Sequence, residues 1–336
     1  MSERSPSNLS STNLSSSSAA VTASDVSFAY GDRQALRGVS FDVAPGGLFG
    51  FLGPNGSGKS TLFKLLSTIV PMQQGSITML GHDLASESAA IRRRIGVVFQ
   101  SAAIDRKLTV YENLRYAGML LNLGGKELAS RIDESMAAAS LTDRKGDATG
   151  ELSGGLRRRV EIAKCLMAKP DLVLLDEAST GLDPAARREM WQVLRAQAGL
   201  TILFTTHLMD EAAEADRLML LDEGQVVAHG RPSELMEEVG GQVLEIETPD
   251  AVALVEELRR TLKVDAVQID QTVRIEGEKV QELVPEVMTR FGDRIRRLQL
   301  AHPSLEDVFL NRTGKRFVVT APEPDVKKGR KQRKRS

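Results

Sequence analysis

Residues 53–61, with the sequence GPNGSGKST, have the types and spacing of a loop that binds phosphate. They fit the pattern G-x-x-x-x-G-K-[ST], with Gly53, Gly58, Lys59 and Ser60 at the fixed positions. The glycines allow successive backbone N–H groups to point at an anion, and the helix N-terminus behind them adds unpaired donors. Lys59 would reach the β- and γ-phosphates, and the Ser60 hydroxyl would ligate Mg²⁺. We therefore predict that this stretch binds a nucleoside triphosphate.

The residues on both sides of this loop match that prediction. Residues 47–52 predict a short buried strand, and residues 62–66 predict the first turns of a helix. The order strand, glycine-rich loop, helix is the structural context of a phosphate-binding loop. A simple glycine-rich turn with an exposed lysine would not need these flanks.

Further polar residues follow predicted strands. Asp176 and Glu177 end the apolar run 172–175, and two carboxylates there are costly unless they meet a cation such as Mg²⁺. Gln100 ends the strand 95–100, and His207 follows another strand. Because ligands of open α/β sheets bind at the carboxyl ends of strands, we expect these residues near the phosphate loop.

Two residues keep a structural interpretation when the residues alone are considered. Tyr30 ends a strand beside a glycine, and an edge-strand tyrosine is its simplest role. Ser153 precedes a helical pattern that ends before Pro170, so it could be an ordinary helix cap.

The composition excludes several classes of protein. The chain has 336 residues, a net charge of −1 and a hydrophobic fraction of 41%, which predicts no general affinity for nucleic acid or membrane. Its single cysteine, Cys165, excludes an internal disulfide, and the scattered histidines give no zinc spacing. No apolar run approaches the roughly 20 residues of a membrane span. We expect a soluble chain unless a partner holds it at a membrane.

The pattern along the chain predicts an α/β core with an antiparallel β subdomain, followed by a small α+β module. A Ser-rich leader over 1–20 precedes the main domain at 21–240, which carries a helical insertion at about 101–150. Residues 241–312 follow the order strand, helix, strand, strand, helix, strand of a ferredoxin-like module. The basic stretch within 313–336 is either a solvated, disordered tail or a contact for anionic lipid or nucleic acid.

Taken together, the motifs from about residue 27 to residue 233 resemble an ABC transporter ATPase subunit, a P-loop NTPase. The loop at 53–61 is similar to the Walker A motif, and residues 172–177 are similar to Walker B with its catalytic glutamate. The other matches are the Q-loop (Gln100), the LSGG signature (residues 152–155), the D-loop (Asp183), the switch histidine (His207) and the adenine-stacking aromatic (Tyr30).

The resemblance implies a role for each matching residue. Glu177 would activate water, with Lys59, Gln100 and His207 as further catalytic residues. Mg²⁺ would be held by Ser60, Gln100 and Asp176. The signature residues would contact the nucleotide of a second subunit, and these are Ser153, Gly154 and Gly155. The ATP-binding residues would be Tyr30, Gly53, Pro54, Asn55, Gly56, Ser57, Gly58, Lys59, Ser60 and Thr61.

Partners and location are also implied only by the resemblance. The chain would form a homodimer or heterodimer on binding ATP and would drive a separate integral membrane permease. It would be cytoplasmic and peripheral on the inner face of the cell membrane, and no specific nucleic acid partner is expected.

Two departures from the family pattern stand out. Position 156 is Leu where most members have Gln, and residues 178–179 are Ala-Ser where many have a single Pro. The continuation at 156–159 and the stretch 304–309 resemble the daunorubicin-resistance type of exporter ATPase. This subgroup implies export of drug-like or other hydrophobic compounds.

Other functions remain open at this point. One is a soluble ABC ATPase that is not engaged in transport, and another is an importer subunit. Glu177 and His207 argue against a nonhydrolytic binding module. The motifs do not separate import from export, and the transported substrate would be set by the membrane subunit.

Overall fold

The computed structural model describes residues 19–269, 271–277 and 279–317. The predicted leader and the predicted basic tail therefore lie outside the described residues, apart from residues 19–20 and 313–317. Within the described part, strands and helices alternate along most of the chain.

The elements have the following bounds. The strands are β1 (Val21–Tyr30), β2 (Arg33–Val43), β3 (Leu48–Leu52), β4 (Gln74–Met79), β5 (His82–Asp83), β6 (Ile95–Val98), β7 (Leu172–Asp176), β8 (Thr201–Thr206), β9 (Arg217–Asp222), β10 (Gln225–Gly230), β11 (Gln242–Glu247), β12 (Ala266–Ile269), β13 (Thr272–Gly277) and β14 (Arg297–Ala301). The α-helices are α1 (Lys59–Leu66), α2 (Ser88–Arg92), α3 (Val110–Leu120), α4 (Gly125–Ala138), α5 (Gly154–Leu166), α6 (Pro184–Arg195), α7 (Met209–Ala212), α8 (Pro232–Val239), α9 (Ala251–Leu262), α10 (Val284–Phe291) and α11 (Leu305–Thr313).

A six-stranded sheet with the order β10-β9-β3-β8-β7-β6 forms the centre of the main domain. The strands from β9 to β6 run parallel, and β10 pairs antiparallel at one edge. Strands β3 and β8 are buried along their whole length, which explains their continuous apolar or threonine-rich sequences. The carboxyl ends of β3, β6, β7 and β8 lie at one edge of this sheet.

A second sheet, with the order β2-β1-β4-β5, is antiparallel and forms the predicted β subdomain. The two sheets share one hydrophobic core. In it the ring of Phe41 packs against Phe49 and Phe51, with centroid distances of 5.7 and 5.3 Å. This packing joins β2 of the antiparallel sheet to β3, the strand that precedes the phosphate loop.

Helices α3 and α4 occupy the segment that the periodicity predicted to be helical. Thr109 starts α3 with a capping box, in which its hydroxyl accepts from the Glu112 N–H at 3.2 Å. Both helices pack with α5 around a core on the other side of the central sheet. This region therefore places α5, which begins directly after Ser153.

The third sheet, with the order β12-β13-β11-β14, is antiparallel throughout. Strands β11 and β12 point the same way with β13 between them, and helices α9 and α10 pack on the sheet. This is the ferredoxin-like arrangement predicted from the order of elements, and the prediction of an α/β core with this appended module is confirmed.

The chain then returns to the main domain through α11. Its residues Leu305, Val308 and Phe309 are buried in one cluster with Leu52 and with apolar residues of β9, β10 and α8. Phe317 stacks edge-on against Phe309 at 5.1 Å, so ordered contacts continue into the first residues of the predicted tail. This return could not be predicted from the sequence, because a short amphipathic helix does not identify the surface on which it packs.

We predict that Phe309→Ala destabilises the main domain as well as the appended module. Phe309 is 1% exposed, and truncation of a buried phenylalanine typically costs about 3–5 kcal/mol. Urea unfolding monitored by circular dichroism measures the change. Met288→Ala on α10 is a matched control, because Met288 is 47% exposed and its truncation should cost less than about 0.5 kcal/mol. Equal midpoints for the two variants would contradict the packing role of α11.

Candidate functional site

The loop between β3 and α1 requires glycine at two positions. Gly58 has φ +106°, and a Cβ there would lie 2.8 Å from the Ala35 carbonyl oxygen. A Cβ on Gly53 would lie 2.4 Å from the Leu221 carbonyl oxygen. The Gly224 N–H, in the turn between β9 and β10, donates to the Ser57 carbonyl at 3.0 Å. The loop is therefore fixed tightly against neighbouring backbone.

Lys59 begins α1 beneath this loop and is 3% exposed. Its Nζ donates to the carbonyl oxygens of Gly53 and Pro54, at 2.6 and 3.0 Å. Burial lowers the pKa of Lys59, and the nearby carboxylates of Glu177 and Asp176 oppose that shift. The two hydrogen bonds hold Lys59 Nζ at the loop, where phosphate oxygens could replace the two carbonyls.

Asp176 ends β7 beside the buried Thr205 of β8. The Thr205 hydroxyl donates to Asp176 Oδ1 at 2.6 Å and accepts from the Glu177 N–H at 3.0 Å. Burial raises the pKa of Asp176 and the Glu177 charge raises it further, whereas the Thr205 hydrogen bond lowers it. A carboxylate in this position is stabilised by a cation, which supports the predicted metal role of Asp176.

Residues that follow β6, β7 and β8 meet at Glu177. Gln100 Nε2, just beyond β6, donates to Glu177 Oε2 at 3.1 Å. His207 Nδ1, just beyond β8, lies 3.4 Å from Glu177 Oε1 without hydrogen-bond geometry. Glu177 has φ +44°, an uncommon left-handed conformation for a residue with a side chain, and such strain is typical of functional sites.

One open cleft joins the loop, Glu177 and Tyr30. Tyr30 is 46% exposed, and its ring packs edge-on against Phe28 at 4.9 Å. An exposed ring beside a phosphate loop suits the predicted stacking on a base better than a purely structural role. The cleft is lined by Tyr30, Arg33, Gln34, Ala35, Asn55, Gly56, Gly58, Lys59, Ser60, Thr61 and Glu177.

The signature residues do not line this cleft. Ser153 caps α5, its hydroxyl accepting from the Leu156 N–H at 3.2 Å, and Gly155 approaches Ala186 of α6 so closely that a Cβ would lie 2.6 Å away. Asp183 caps α6 by accepting from the N–H groups of Ala185 and Ala186. The structure therefore brings the signature and Asp183 together, at a place separate from the phosphate loop.

The oxygen atoms at the site suit a hard cation that is held partly by substrate phosphates and water. They do not suit a metal that is held by protein side chains alone. Within the described residues, no group of three or more His, Cys, Asp and Glu side chains could hold a metal ion. Ser60 and Asp176 offer a hydroxyl and a carboxylate, and Mg²⁺ typically combines one or two such ligands with waters and substrate phosphates. The residues present therefore fit a magnesium–nucleotide complex.

The fold, the loop and the carboxylates at the strand ends define a P-loop NTPase core. Two family models match the chain. The model described as "ABC transporter" matches residues 36–180, and the model described as "ATP-binding protein DrrA1-3-like, C-terminal domain" matches residues 230–313.

Similar proteins match over both parts of the chain. A daunorubicin resistance ATP-binding protein, DrrA3 of Streptomyces coeruleorubidus, is 36% identical over 304 residues, covering 88% of this chain and 96% of that protein. A Nod factor export ATP-binding protein I of Burkholderia thailandensis is 40% identical over 294 residues, covering 85% and 94%. The chain belongs to the ABC transporter ATP-binding proteins and is an ATPase of that family.

Solved structures agree with this assignment. An ATP-binding cassette of an ABC transporter in its ADP conformation is 27% identical, with a TM-score of 0.60, and covers 64% of this chain and 92% of that one. A bacterial Atm1-family ABC exporter with ATP bound has a TM-score of 0.58 at 28% identity, covering 67% and 41%. The chain thus binds nucleotide in the manner of its family.

Four residues at the site were not predicted from the sequence. Arg33, Gln34 and Ala35 line the cleft from the start of β2, and nothing in their types indicates it. Thr205 could have been predicted, because two threonines at the end of an apolar strand place hydroxyl groups where ligands of such sheets bind.

We predict that Thr205→Val moves the acid limb of the pH–rate profile to higher pH. The Thr205 hydroxyl stabilises the ionised form of Asp176, so its removal raises the pKa of that carboxyl. Activity that needs ionised Asp176 is then lost at a higher pH as the solution is acidified. ATP turnover at saturating Mg²⁺ between pH 5 and pH 8 measures the shift. Thr205→Ser retains the hydroxyl and serves as the control, and coincident profiles for the two variants would refute the role of this hydrogen bond.

Proposed function

We propose that this chain hydrolyses ATP with Mg²⁺ to energise export through a separate membrane permease. The observation that carries the proposal is the convergence of Lys59, Asp176, Glu177, Gln100 and His207 at one edge of the central sheet. Asp176 and Glu177 come from the end of β7, Lys59 from the start of α1, and Gln100 and His207 from just beyond β6 and β8. Together they supply a phosphate-binding cation, a metal ligand, a base and two polar groups.

The contacts support a role for each residue. The loop N–H groups and Lys59 would neutralise phosphate charge, and Ser60, Gln100 and Asp176 would hold the metal. Mg²⁺ would supply charge neutralisation at the phosphate oxygens. Glu177 would polarise the attacking water, and it can do so while Gln100 donates to one oxygen, because a carboxylate has further acceptor positions. His207, whose Nδ1 lies 3.4 Å from Glu177 Oε1, would contact the γ-phosphate.

The position of the signature supports a dimer that forms on ATP. Ser153 and Gly154 are exposed at the N-terminus of the 13-residue helix α5, and neither lines the cleft of its own chain. A helix N-terminus with free N–H groups suits an anion, so a second subunit can offer its γ-phosphate there. The subunit composition of the ATP-bound dimer distinguishes a homodimer from a heterodimer.

We predict that Glu177→Gln retains ATP binding but hydrolyses ATP roughly 10²-fold more slowly or worse, because the general base is lost. The variant should accumulate as an ATP-bound dimer. Phosphate release and size-exclusion chromatography with ATP measure the two effects. Glu256→Gln changes an exposed carboxylate on α9 in the same way and should be indistinguishable from wild type. Wild-type turnover by the Glu177→Gln protein would show that the base lies elsewhere.

An exposed apolar patch near the Gln100 segment supports docking to a membrane protein. Its residues lie on α3, just after it, and just beyond β6: Tyr116, Met119, Leu120, Leu121 and Phe99. Leu120 is 86% exposed, and a groove runs beside it toward α5. In the described part of the chain, none of the helices has the length and apolarity needed to cross a bilayer. We infer that a permease segment covers this patch, because contiguous exposed apolar surface marks an interaction site.

We predict that Leu120→Asp leaves the ATP turnover of the purified chain unchanged but releases it from membranes. The carboxylate would be buried without a partner in the docked complex, which is unfavourable. Membrane sedimentation after a high-salt wash, in cells that coexpress the multi-span protein copurifying with the wild type, measures the effect. Val252→Asp on α9 is the matched control, because Val252 is 56% exposed in the appended module. Retention of Leu120→Asp at the membrane would place the docking surface elsewhere.

The direction of transport and the substrate class rest on the relatives. The similar proteins are named for daunorubicin resistance and for Nod factor export, and they match both the main domain and the appended module. This supports export of a hydrophobic or amphiphilic compound over import or a role outside transport. Efflux of a fluorescent anthracycline from vesicles containing this chain and its permease tests the proposal. ATP-driven uptake of the compound into right-side-out vesicles would favour an importer.

A further inference from the structure

We propose that Arg158, Glu161 and Lys164 are positioning residues that join the signature helix α5 to the segment carrying Gln100. This segment, residues 99–103, is called the Gln100 loop below. The proposal rests on the function proposed above, and it adds that the two sites of the dimer are coupled through this link within each chain.

The three side chains hold the loop by its backbone. Arg158 donates through Nη1 to the Phe99 carbonyl at 2.8 Å and through Nη2 to the Gln100 carbonyl at 3.1 Å. Glu161 Oε1 accepts from the Ala103 N–H at 2.6 Å, and Lys164 Nζ donates to the Ala103 carbonyl. Because these residues are three positions apart on one helix, they form a row on one side of α5. Both sides of the Gln100 residue are thereby attached to the helix.

The link is buried and internally paired. The Arg158 and Glu161 side chains are 8% and 6% exposed, and Arg158 Nη1 lies 2.7 Å from Glu161 Oε2. Burial raises the pKa of Glu161, although Arg158, the Ala103 N–H and Lys164 oppose that shift. A buried ion pair is weak evidence for stability as such. The hydrogen bonds of this pair to the carbonyl and N–H groups of the Gln100 loop instead fix the position of that loop.

The link joins the two regions that are proposed to contact nucleotide, the cleft of its own chain and the signature residues at the start of α5. At one end, Gln100 donates to Glu177 at 3.1 Å, so the loop contacts the base of its own cleft. At the other end, α5 begins at the signature residues proposed to contact the nucleotide of the second subunit. Helix α5 is continuous over 13 residues. We therefore expect engagement of the signature by the second subunit to shift the Gln100 loop, and with it the amide that contacts Glu177.

Two of the three residues, Glu161 and Lys164, also line the groove proposed to receive the permease. Phe99, Ala103, Glu161 and Lys164 form part of that groove together with Leu120. A permease segment seated there would press on the link directly. This placement explains how a membrane partner could alter turnover without touching the nucleotide.

The test replaces the pair in the full-length chain by apolar groups of similar size, Arg158→Met with Glu161→Leu. Removal of both partners avoids leaving one unpaired buried charge. We expect the dissociation constant for ATP to change by less than about two-fold, while turnover per ATP site falls about ten-fold or more. Sites per chain are counted with a fluorescent ATP analogue, and melting temperature is measured in parallel.

A merely structural role gives a different result. It would lower the melting temperature and the number of ATP sites per chain while turnover per remaining site stayed within about two-fold of wild type, and that outcome overturns the proposal. Arg158→Lys retains a donor toward the Phe99 carbonyl and should recover part of the turnover. If the double variant fails to fold, Lys164→Met, which removes the donor to the Ala103 carbonyl from a half-buried side chain, is judged by the same criterion.

Two controls separate this proposal from the proposed function. Arg290→Met with Glu286→Gln removes an exposed ion pair of 2.7 Å on α10 and should leave turnover per site unchanged. The second control is Glu177→Gln, which must lower turnover roughly 10²-fold or more. If the wild type itself does not hydrolyse ATP, the proposed function fails and the link fails with it. Normal hydrolysis by the wild type with no effect of the double variant overturns the link alone.

Discussion

Three charged groups, Lys59, Asp176 and Glu177, are held together at one sheet edge with little access to water. Burying a charge is unfavourable unless it meets an opposite charge or a hydrogen-bond partner. The lysine therefore donates to two loop carbonyls, and Asp176 accepts from Thr205. The proposed binding of phosphate and a cation would compensate the charges that remain without an opposite charge. Much of the architecture around this edge serves to hold these charges in place before the substrate arrives.

The parallel sheet and the appended module both contribute to that rigidity. Parallel pairing brings the ends of β3, β7 and β8 to the same edge, where no turn joins one to the next. On the other side of β3, Leu52 precedes the phosphate loop and is buried in the cluster that contains Phe309 of α11. Lys315 also contacts Asp222 and Glu223, whose neighbour Gly224 donates to the loop at Ser57. The appended module thus packs against the residues that support the phosphate loop.

The sequence predicted the parts of the site that depend on local pattern. The strand, loop and helix around residues 53–61 and the carboxylates after β7 need only neighbouring residues to be recognised. The ferredoxin-like topology also followed from the order of elements. Arg158 was not predicted, since a charged residue near the start of a helix is ordinarily expected in solvent. Its partners are backbone atoms 58 and 59 residues away, and such long-range pairing has no signature in composition or spacing. The return of α11 was missed for the same reason.

The two departures from the family pattern, at 156 and at 178–179, leave the backbone hydrogen bonds of their turns in place. They change only the side chains. At position 156 the N–H group donates to Ser153, which any residue can provide, and the Leu156 side chain packs against the core shared by α5 and α6. Leucine therefore keeps the helix cap and exchanges a polar group for apolar packing. At 178–179, Ala178 and Ser179 are buried, and the turn is closed by the Thr180 N–H donating to the Glu177 carbonyl at 3.0 Å. Hydrogen bonding and burial of small residues thus hold the Glu177 backbone where a proline would have restricted it. The strained φ of Glu177 is maintained by this hydrogen bond and by the buried Ala178 and Ser179, so a proline at these positions is not required.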